Sequence, residues 1–190
     1  YDPQNNLAVI SSYNSSCFNA NDGSIGVTIN GCNNGSGTVS NLPYCNSNPN
    51  ATLSAQPSAI IEEVILNGDN NLINNNTALA GDLYEDYTAT MYADIEEGQS
   101  YTVIVTLNGL AAFGNSINNS GGKVYIDFNI DGDFDDLDEE IGIIPYRDNS
   151  NIGVPEAITF TVPNTGAYGA TRMRVVSQYN QLQDPNIIGS

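Results

Sequence analysis

GKVYIDFNIDGDFDDLDEEIGIIPY, residues 122–146, joins two stretches with strand periodicity through an acidic loop. Over 122–128, strongly apolar side chains alternate with more polar ones, and this period of two predicts a half-buried strand. Residues 140–146 form a short segment that is rich in β-branched side chains and is stopped by Pro145. This pattern also favours a strand. The loop is therefore predicted to connect two β-strands, whereas the loop of an EF-hand lies between two helices.

The loop carries oxygen-bearing side chains at alternate positions. Asp127, Asn129 and Asp131 hold the first, third and fifth places, a glycine holds the sixth, and acids return at the seventh, ninth and twelfth. Ca²⁺ takes about six to eight oxygen ligands, and one short segment supplies them if alternate residues point inward and a glycine permits a sharp turn. A solvated acidic loop is the alternative, but without a cation so many carboxylates would repel one another. The spacing therefore predicts a structural Ca²⁺ site, with the following ligands: Asp127, Asn129, Asp131, Asp133 and, closing the shell, Asp138 or Glu139.

Composition excludes several function classes. The chain has 4 Lys+Arg against 22 Asp+Glu, a formal net charge of −18, and such a surface repels nucleic acid and anionic membranes. It has no histidine, which removes the commonest general base and the usual transition-metal ligand. It also lacks the Gly-x-Ser-x-Gly elbow of serine hydrolases and any apolar run of membrane length. We therefore expect a protein that is not an enzyme, with no nucleic-acid partner and no membrane insertion.

The rest of the chain repeats short strand patterns separated by Asn-Gly, Pro-Asn and Gly turn signals. The main predicted strands cover 59–66, 87–91, 100–107, 122–128, 140–145, 157–162 and 171–177. Helix-period segments are almost absent, so we predict an all-β fold, an antiparallel β-sandwich of jelly-roll or immunoglobulin-like type. Residues 1–42, which include strand candidates at 8–10 and 26–29, are predicted to form a small β segment, a linker or the end of a preceding repeat. The sandwich domain is predicted over 43–190, and the chain is interpreted as an internal fragment of a longer protein.

The three cysteines, Cys17, Cys32 and Cys45, do not have metal-ligand spacing. A Cys17–Cys32 bridge would close a small loop, worth about 3 kcal/mol in the chain-entropy model. Cys45 would then need a partner beyond the chain end or in another molecule.

Two further charged features have less specific interpretations. Residues 81–87 combine acids with tyrosines, which suits a second cation or a partner, or an ordinary polar loop. Arg172 and Arg174 carry half of the positive charges, and on so acidic a chain we expect them to form internal ion pairs.

Several motifs follow one another in an order that resembles a known family. They are Tyr44-Cys45, Tyr87-Thr88, Tyr101-Thr102-Val103, residues 124–134, Phe160-Thr161-Val162-Pro163 and residues 169–175. This series resembles the GEVED domain over about residues 44–180. The resemblance implies a β-sandwich module of large secreted and surface proteins in bacteria that use type IX secretion. Residues 15–31 weakly resemble the repeats of gliding-type surface adhesins.

The chain departs from the family pattern at its end. The closing strand, with its Gly-Glu-Val-Glu-Asp signature and a nearby cysteine, is missing. The resemblance therefore implies that Cys45 would pair with that absent cysteine, and that the sandwich has an open edge or is completed by another chain. The family pattern also places an acid on Glu139, so Asp138 and Glu139 both stand as closing ligands.

Three functions fit these observations. The leading hypothesis is a calcium-stabilised extracellular β-sandwich module, a structural spacer or adhesive unit of a large secreted or cell-surface protein. Its partners would be neighbouring domains or copies of the same polypeptide, with surface glycans as a further class. The first alternative is a carbohydrate-binding accessory module of a secreted hydrolase, with Tyr84, Tyr87, Tyr92 or Tyr168 as the sugar platform. The second is a subunit of an extracellular filament completed by strand exchange.

Overall fold

The computed structural model describes residues 21–30, 44, 60–77, 84–108, 120–147 and 151–179. These residues form ten β-strands and no helix. The described part of the chain therefore contains no helix that could cross a membrane. The strands are β1 (Asn21–Asn30), β2 (Ile60–Asn67), β3 (Leu72–Asn76), β4 (Tyr84–Asp86), β5 (Tyr92–Glu96), β6 (Ser100–Asn108), β7 (Ser120–Ile126), β8 (Glu140–Arg147), β9 (Glu156–Thr161) and β10 (Gly169–Tyr179).

The strands form two sheets. The six-stranded sheet has the order β4-β1-β10-β7-β8, with β5 also paired to β1, and the four-stranded sheet has the order β3-β2-β6-β9. β4 and β5 run parallel to successive parts of β1, and the other ladders are antiparallel. Apolar side chains from both sheets form one core, so the predicted all-β sandwich is confirmed.

Strand alternation explains the core. On β6, Val103, Val105 and Leu107 are at most 1% exposed and share one face. Each such side chain contributes about 1.5–3 kcal/mol when it is buried. Gly142 lets β8 approach β9 closely, because a Cβ there would lie 2.4 Å from Ile158 Cγ2. The two sheets are therefore in tight contact at this edge of the sandwich.

The strand predicted at 87–91 is wrong. Asp86 Oδ1 accepts hydrogen bonds from the Thr88 amide at 2.9 Å and the Thr88 hydroxyl at 2.7 Å. The amides of Thr90 and Met91 both donate to Tyr87 O at 2.9 Å, so this segment is a turn. The strands lie on either side of it, in β4 and β5.

Strand β1 is part of the six-stranded sheet of the sandwich. β1 pairs with β10 from Asn21 opposite Ser177 to Ile29 opposite Gly169. Residues 21–30, assigned above to a separate N-terminal segment, therefore belong to the six-stranded sheet, because their backbone hydrogen bonds are made there. A domain boundary at 42/43 stays a prediction.

Other predictions fall outside the described residues. These concern the strand at 8–10 and the three cysteines with their proposed pairing. The open edge and its completion by another chain also stay predictions.

Candidate metal centre

The aspartate loop runs from Asp127, directly after β7, to Glu139, directly before β8. Its two ends are tied together, because the Ile126 amide donates to Glu139 O at 3.0 Å. The Asp127 amide donates to Arg172 O at 3.2 Å, which fixes the loop base to β10. The loop therefore starts and ends on a rigid sheet.

Asp127 organises the first half of the loop from a fully buried position. Its Oδ1 accepts from the Asp131 amide at 3.2 Å, and its Oδ2 accepts from the Gly132 amide at 3.1 Å. The tight turn needs positive φ at Ile130 (60°) and at Gly132 (100°). Glycine adopts this conformation freely, whereas a β-branched residue there stores about 1–3 kcal/mol of strain, which is typical of functional sites.

Tyr44 holds the other side of Asp127. Its hydroxyl donates to Asp127 Oδ2 at 2.5 Å, across 83 residues of sequence. The Thr171 hydroxyl donates to Asp127 O at 2.5 Å. The first predicted ligand is therefore oriented by residues that the loop motif does not contain.

Three carboxylates converge on the solvent side of the loop. Ligand oxygens of Asp131, Asp133 and Asp136 all lie within 4.8 Å of one another. Asn129 Nδ2 donates to Asp131 Oδ2 at 3.0 Å and to Asp136 Oδ2 at 2.5 Å. Asn129 Oδ1 accepts from the Asp131 amide at 3.1 Å, so a half-turn of the side-chain amide that presents its oxygen to the carboxylates would give up this hydrogen bond.

Asp136 was not among the predicted ligands. Alternation pointed to its neighbour Asp135 at the ninth place of the loop, which is not part of the convergent group. Burial, and then the charges of nearby aspartates, raise the pKa of Asp135. At the turn that closes the loop, the Glu139 amide donates to Asp136 O at 3.2 Å, and the Asp136 carboxylate lies beside those of Asp131 and Asp133.

The two candidate closing ligands have different environments. Glu139 is 2% exposed, and its carboxylate accepts from the Phe128 amide at 3.1 Å and from the Asp136 amide at 3.4 Å. Asp138 is exposed. Burial and the adjacent charge of Asp127 raise the pKa of Glu139 to about 8. Burial also raises the pKa of Asp127, although hydrogen bonds from Tyr44 and backbone amides oppose it.

A cavity of about 180 Å³ opens beside the loop. Its walls include four acidic or amide side chains, Asn129, Asp136, Asp138 and Glu139. Of the predicted ligands, the structure brings the carboxylates of Asp131 and Asp133 together and adds that of Asp136. The donors are oxygens only, the set that suits a hard cation such as Ca²⁺ and not a thiolate or imidazole metal.

A small aromatic cluster anchors the loop on the outer face of the six-stranded sheet. This outer cluster comprises Tyr44, Tyr125, Phe134 and Val176, all buried. The Phe134 ring lies 5.5 Å from that of Tyr44 and 6.0 Å from that of Tyr125. Because Phe134 lies at the centre of the loop, the cluster holds the acidic residues above it in place.

Two arginines of β10 pack onto the outer cluster. Arg172 Cζ lies 4.6 Å from the Tyr44 ring centroid, and Arg174 Cζ lies 4.7 Å from that of Phe134. Burial acts to raise the pKa of Asp86, but hydrogen bonds from Thr88 and the charge of Arg172 outweigh it and lower this pKa. Ion pairs of Arg172 and Arg174 stay a prediction.

The four tyrosines predicted as candidates for a sugar platform differ in their exposure to solvent. Tyr84, Tyr92 and Tyr168 are 38%, 43% and 52% exposed, whereas Tyr87 packs half-buried against the core. The Tyr168 hydroxyl donates to Glu97 Oε2 at 2.8 Å.

The comparison with protein families gives one match. Residues 121–190 match the model of the GEVED domain, a little over a third of the chain, and the predicted resemblance is confirmed over that range. The matched range contains the aspartate loop and the strands on both sides of it. No curated protein and no solved structure is significantly similar to the chain.

Proposed function

We propose that this chain is a calcium-stabilised extracellular β-sandwich module, without catalytic activity, that serves as a spacer or adhesive unit of a large secreted or cell-surface protein. The observation that carries the proposal is the convergence of Asp131, Asp133 and Asp136 within 4.8 Å on a loop between two strands. The GEVED-domain match over 121–190 is consistent with an extracellular module.

Electrostatics supports a cation at this position. Two unit charges 4.8 Å apart, the upper limit for these oxygens, repel by about 1 kcal/mol in water and by about 3–4 kcal/mol at an effective dielectric constant of 20. The three carboxylates make three such pairs, on a chain whose net charge is −18. A divalent ion would convert this repulsion into attraction.

The residues around the cluster define the proposed ligand set. Asp131, Asp133 and Asp136 would supply the central oxygens, and Asn129, Asp127 and Glu139 would complete the shell. We assign the closing role to Glu139, because its buried carboxylate accepts from the Phe128 and Asp136 amides inside the loop, whereas Asp138 is exposed. The ion would contribute charge neutralisation and rigidity.

The expected stabilisation follows from linkage. Extracellular calcium modules bind with Kd of about 10⁻⁴–10⁻³ M. If Kd is about 10⁻⁴ M, 10 mM calcium exceeds it about a hundredfold and adds about 2.7 kcal/mol to the free energy of unfolding. For a chain of this size that corresponds to a rise in Tm of about 5–11 °C. The module would be rigid in calcium-rich surroundings and looser where calcium is scarce.

Thermal unfolding in calcium and in EGTA tests the proposal. Wild-type protein should melt about 5–11 °C higher in 10 mM calcium than in EGTA. A variant carrying Asp131→Asn, Asp133→Asn and Asp136→Asn should lose this difference. In EGTA the variant should be at least as stable as the wild type, because the repulsion has been removed. A wild-type Tm that is the same in calcium and EGTA would refute the proposal.

Two single variants separate the closing ligands. Asp138→Asn should keep the calcium-dependent rise in Tm, whereas Glu139→Gln should reduce it, since a neutral amide replaces a ligand carboxylate. The opposite order would assign the closing role to Asp138.

Localisation and partners follow from the same proposal. The protein is expected outside the cell, in contact with neighbouring domains or copies of the same polypeptide. It is expected to bind no nucleic acid and to insert into no membrane, because its charge of −18 repels both. Antibody labelling of intact cells or of the medium, compared with lysed cells, tests the location. Strand exchange in a filament stays a prediction.

A further inference from the structure

We infer that the seam between β3 and β5 is a binding groove for a neutral glycan chain. These strands lie at the borders of different sheets, β3 beside β2 and β5 beside β1. Between them lies a cavity of about 250 Å³, called here the seam groove. Its lining residues are Asn71, Leu72, Asn74, Thr90, Met91 and Tyr92.

The apolar part of the groove is unusually exposed. Leu72 is 54% exposed and Tyr92 is 43% exposed, although both are large hydrophobic side chains. Met91, between them and the interior, packs half-buried against the core. Ligand sites combine apolar or aromatic walls with a few polar groups. A tyrosine ring supplies a rigid apolar face of the kind that can cover the C–H face of a sugar.

The polar part of the groove is neutral. Asn71 and Asn74 contribute side-chain amides, each with donors and an acceptor, and Thr90 adds a hydroxyl. Within the described part of the chain, neither amide forms a side-chain hydrogen bond. Among the described residues, no charged side chain lines the groove, even though the chain carries 22 acids.

This chemistry selects one class of ligand. An anionic ligand would be repelled by the net charge of −18, and a cationic ligand would find no carboxylate in the groove. A neutral carbohydrate offers hydroxyls that both donate and accept, together with apolar C–H faces, and it matches both parts of the lining. The occupant that we infer is therefore an uncharged oligosaccharide.

A buried carboxylate rigidifies the groove. Asp94, on β5 two residues after Tyr92, is 5% exposed and accepts hydrogen bonds from the amides of Asn70 at 3.0 Å and Asn71 at 2.6 Å. Its backbone oxygen accepts from the Asp69 amide at 2.8 Å. The β2–β3 turn is thereby fixed on β5, so that Asn71 is held beside Tyr92 before any ligand arrives. Such preorganisation lowers the ordering cost of binding.

Gly68 makes this close approach possible. A Cβ at Gly68 would lie 2.3 Å from Asp94 O and 2.6 Å from Asp94 N. No side chain fits at Gly68 unless the β2–β3 turn or β5 moves. The turn and β5 therefore form a tightly packed corner next to the groove.

Titration with neutral hexasaccharides tests the inference. The probes are cellohexaose, chitohexaose, mannohexaose and xylohexaose, each added to the full chain up to 10 mM and followed by amide chemical shifts in NMR. At least one probe should bind and shift amide signals of the seam residues. Tyr92→Ala should weaken that binding at least tenfold. No binding by any of the four, or shifts confined to other strands, would overturn the inference.

Tyr168→Ala is the matched control. Tyr168 is even more exposed than Tyr92, at 52%, but it does not line the groove. Its removal should leave the affinity within twofold of the wild type. Equal losses in the two variants would overturn the inference, because the effect would not be specific to the seam.

The inference is independent of calcium. No residue of the aspartate loop lines the seam groove, so binding at 10 °C should persist in EGTA with an affinity within twofold of that in calcium. Loss of glycan binding in EGTA by a chain whose circular dichroism is unchanged would overturn the seam as the site. An absent calcium response with intact glycan binding would instead refute only the proposed calcium function.

Discussion

Replacing Phe134 with alanine should release the aspartate loop from the six-stranded sheet. Phe134 is 6% exposed, and its ring contacts those of Tyr44 and Tyr125 at centroid distances of 5.5 and 6.0 Å. Truncation of a buried phenylalanine costs about 3–5 kcal/mol. That range already includes much of the aromatic and cation–π contact with Arg174, each worth about 1 kcal/mol. We therefore expect a loss of about 4 kcal/mol in the free energy of unfolding.

Urea unfolding in 10 mM calcium, followed by circular dichroism, measures this loss. Leu137→Ala is the matched control, because Leu137 lies three residues further along the same loop and is 90% exposed. Its effect should stay within about 0.5 kcal/mol of the wild type. Phe134→Ala should also raise the Kd for calcium, since the acids would lose their support. If the two variants unfold at the same urea concentration, the anchoring role of the outer cluster is refuted.

Three further changes probe other contacts. Tyr44→Phe removes the hydroxyl that orients Asp127 and should raise the calcium Kd about tenfold in calorimetry; an unchanged Kd would contradict this role. Gly142→Ala should cost about 1–3 kcal/mol in urea unfolding, because the new Cβ would lie 2.4 Å from Ile158 Cγ2; wild-type stability would show that the sheets adjust. Burial acts to raise the pKa of Asp94, but hydrogen bonds from the β2–β3 turn outweigh it and lower this pKa below 3.8. The stabilisation that these hydrogen bonds provide is therefore complete above the unfolded pKa of 3.8, and it is lost as the pH falls through the lower pKa of the folded state. Asp94→Asn should therefore flatten the dependence of the free energy of unfolding on pH below about pH 4.

The sequence predicted the parts of the fold in which local pattern and tertiary structure agree. Alternation over 122–128 and 100–107 matches strands β7 and β6, since the faces that the pattern marks as apolar do face the core. β3 was missed because its Leu-Ile-Asn-Asn-Asn sequence has the composition of a turn. Pairing with β2 and the burial of Ile73 override that local preference.

The site was predictable in its position and incompletely in its ligands. Spacing located the loop, but it could not distinguish Asp135 from Asp136, because the direction of each side chain depends on the strained turn at Ile130 and on the closing turn at Glu139. Tyr44 lies 83 residues from Asp127, and no local motif could link them. The same holds for β1, whose place in the sheet depends on pairing with β10 at the far end of the chain.

The most direct test of the central claim is a crystal structure of the protein grown in calcium, with anomalous scattering used to locate the ion. One anomalous peak per chain is expected in the loop, with carboxylate oxygens of Asp131, Asp133 and Asp136 at about 2.3–2.6 Å from it. A well-ordered loop with no peak, its carboxylates turned toward solvent, would show that the loop is not a calcium site.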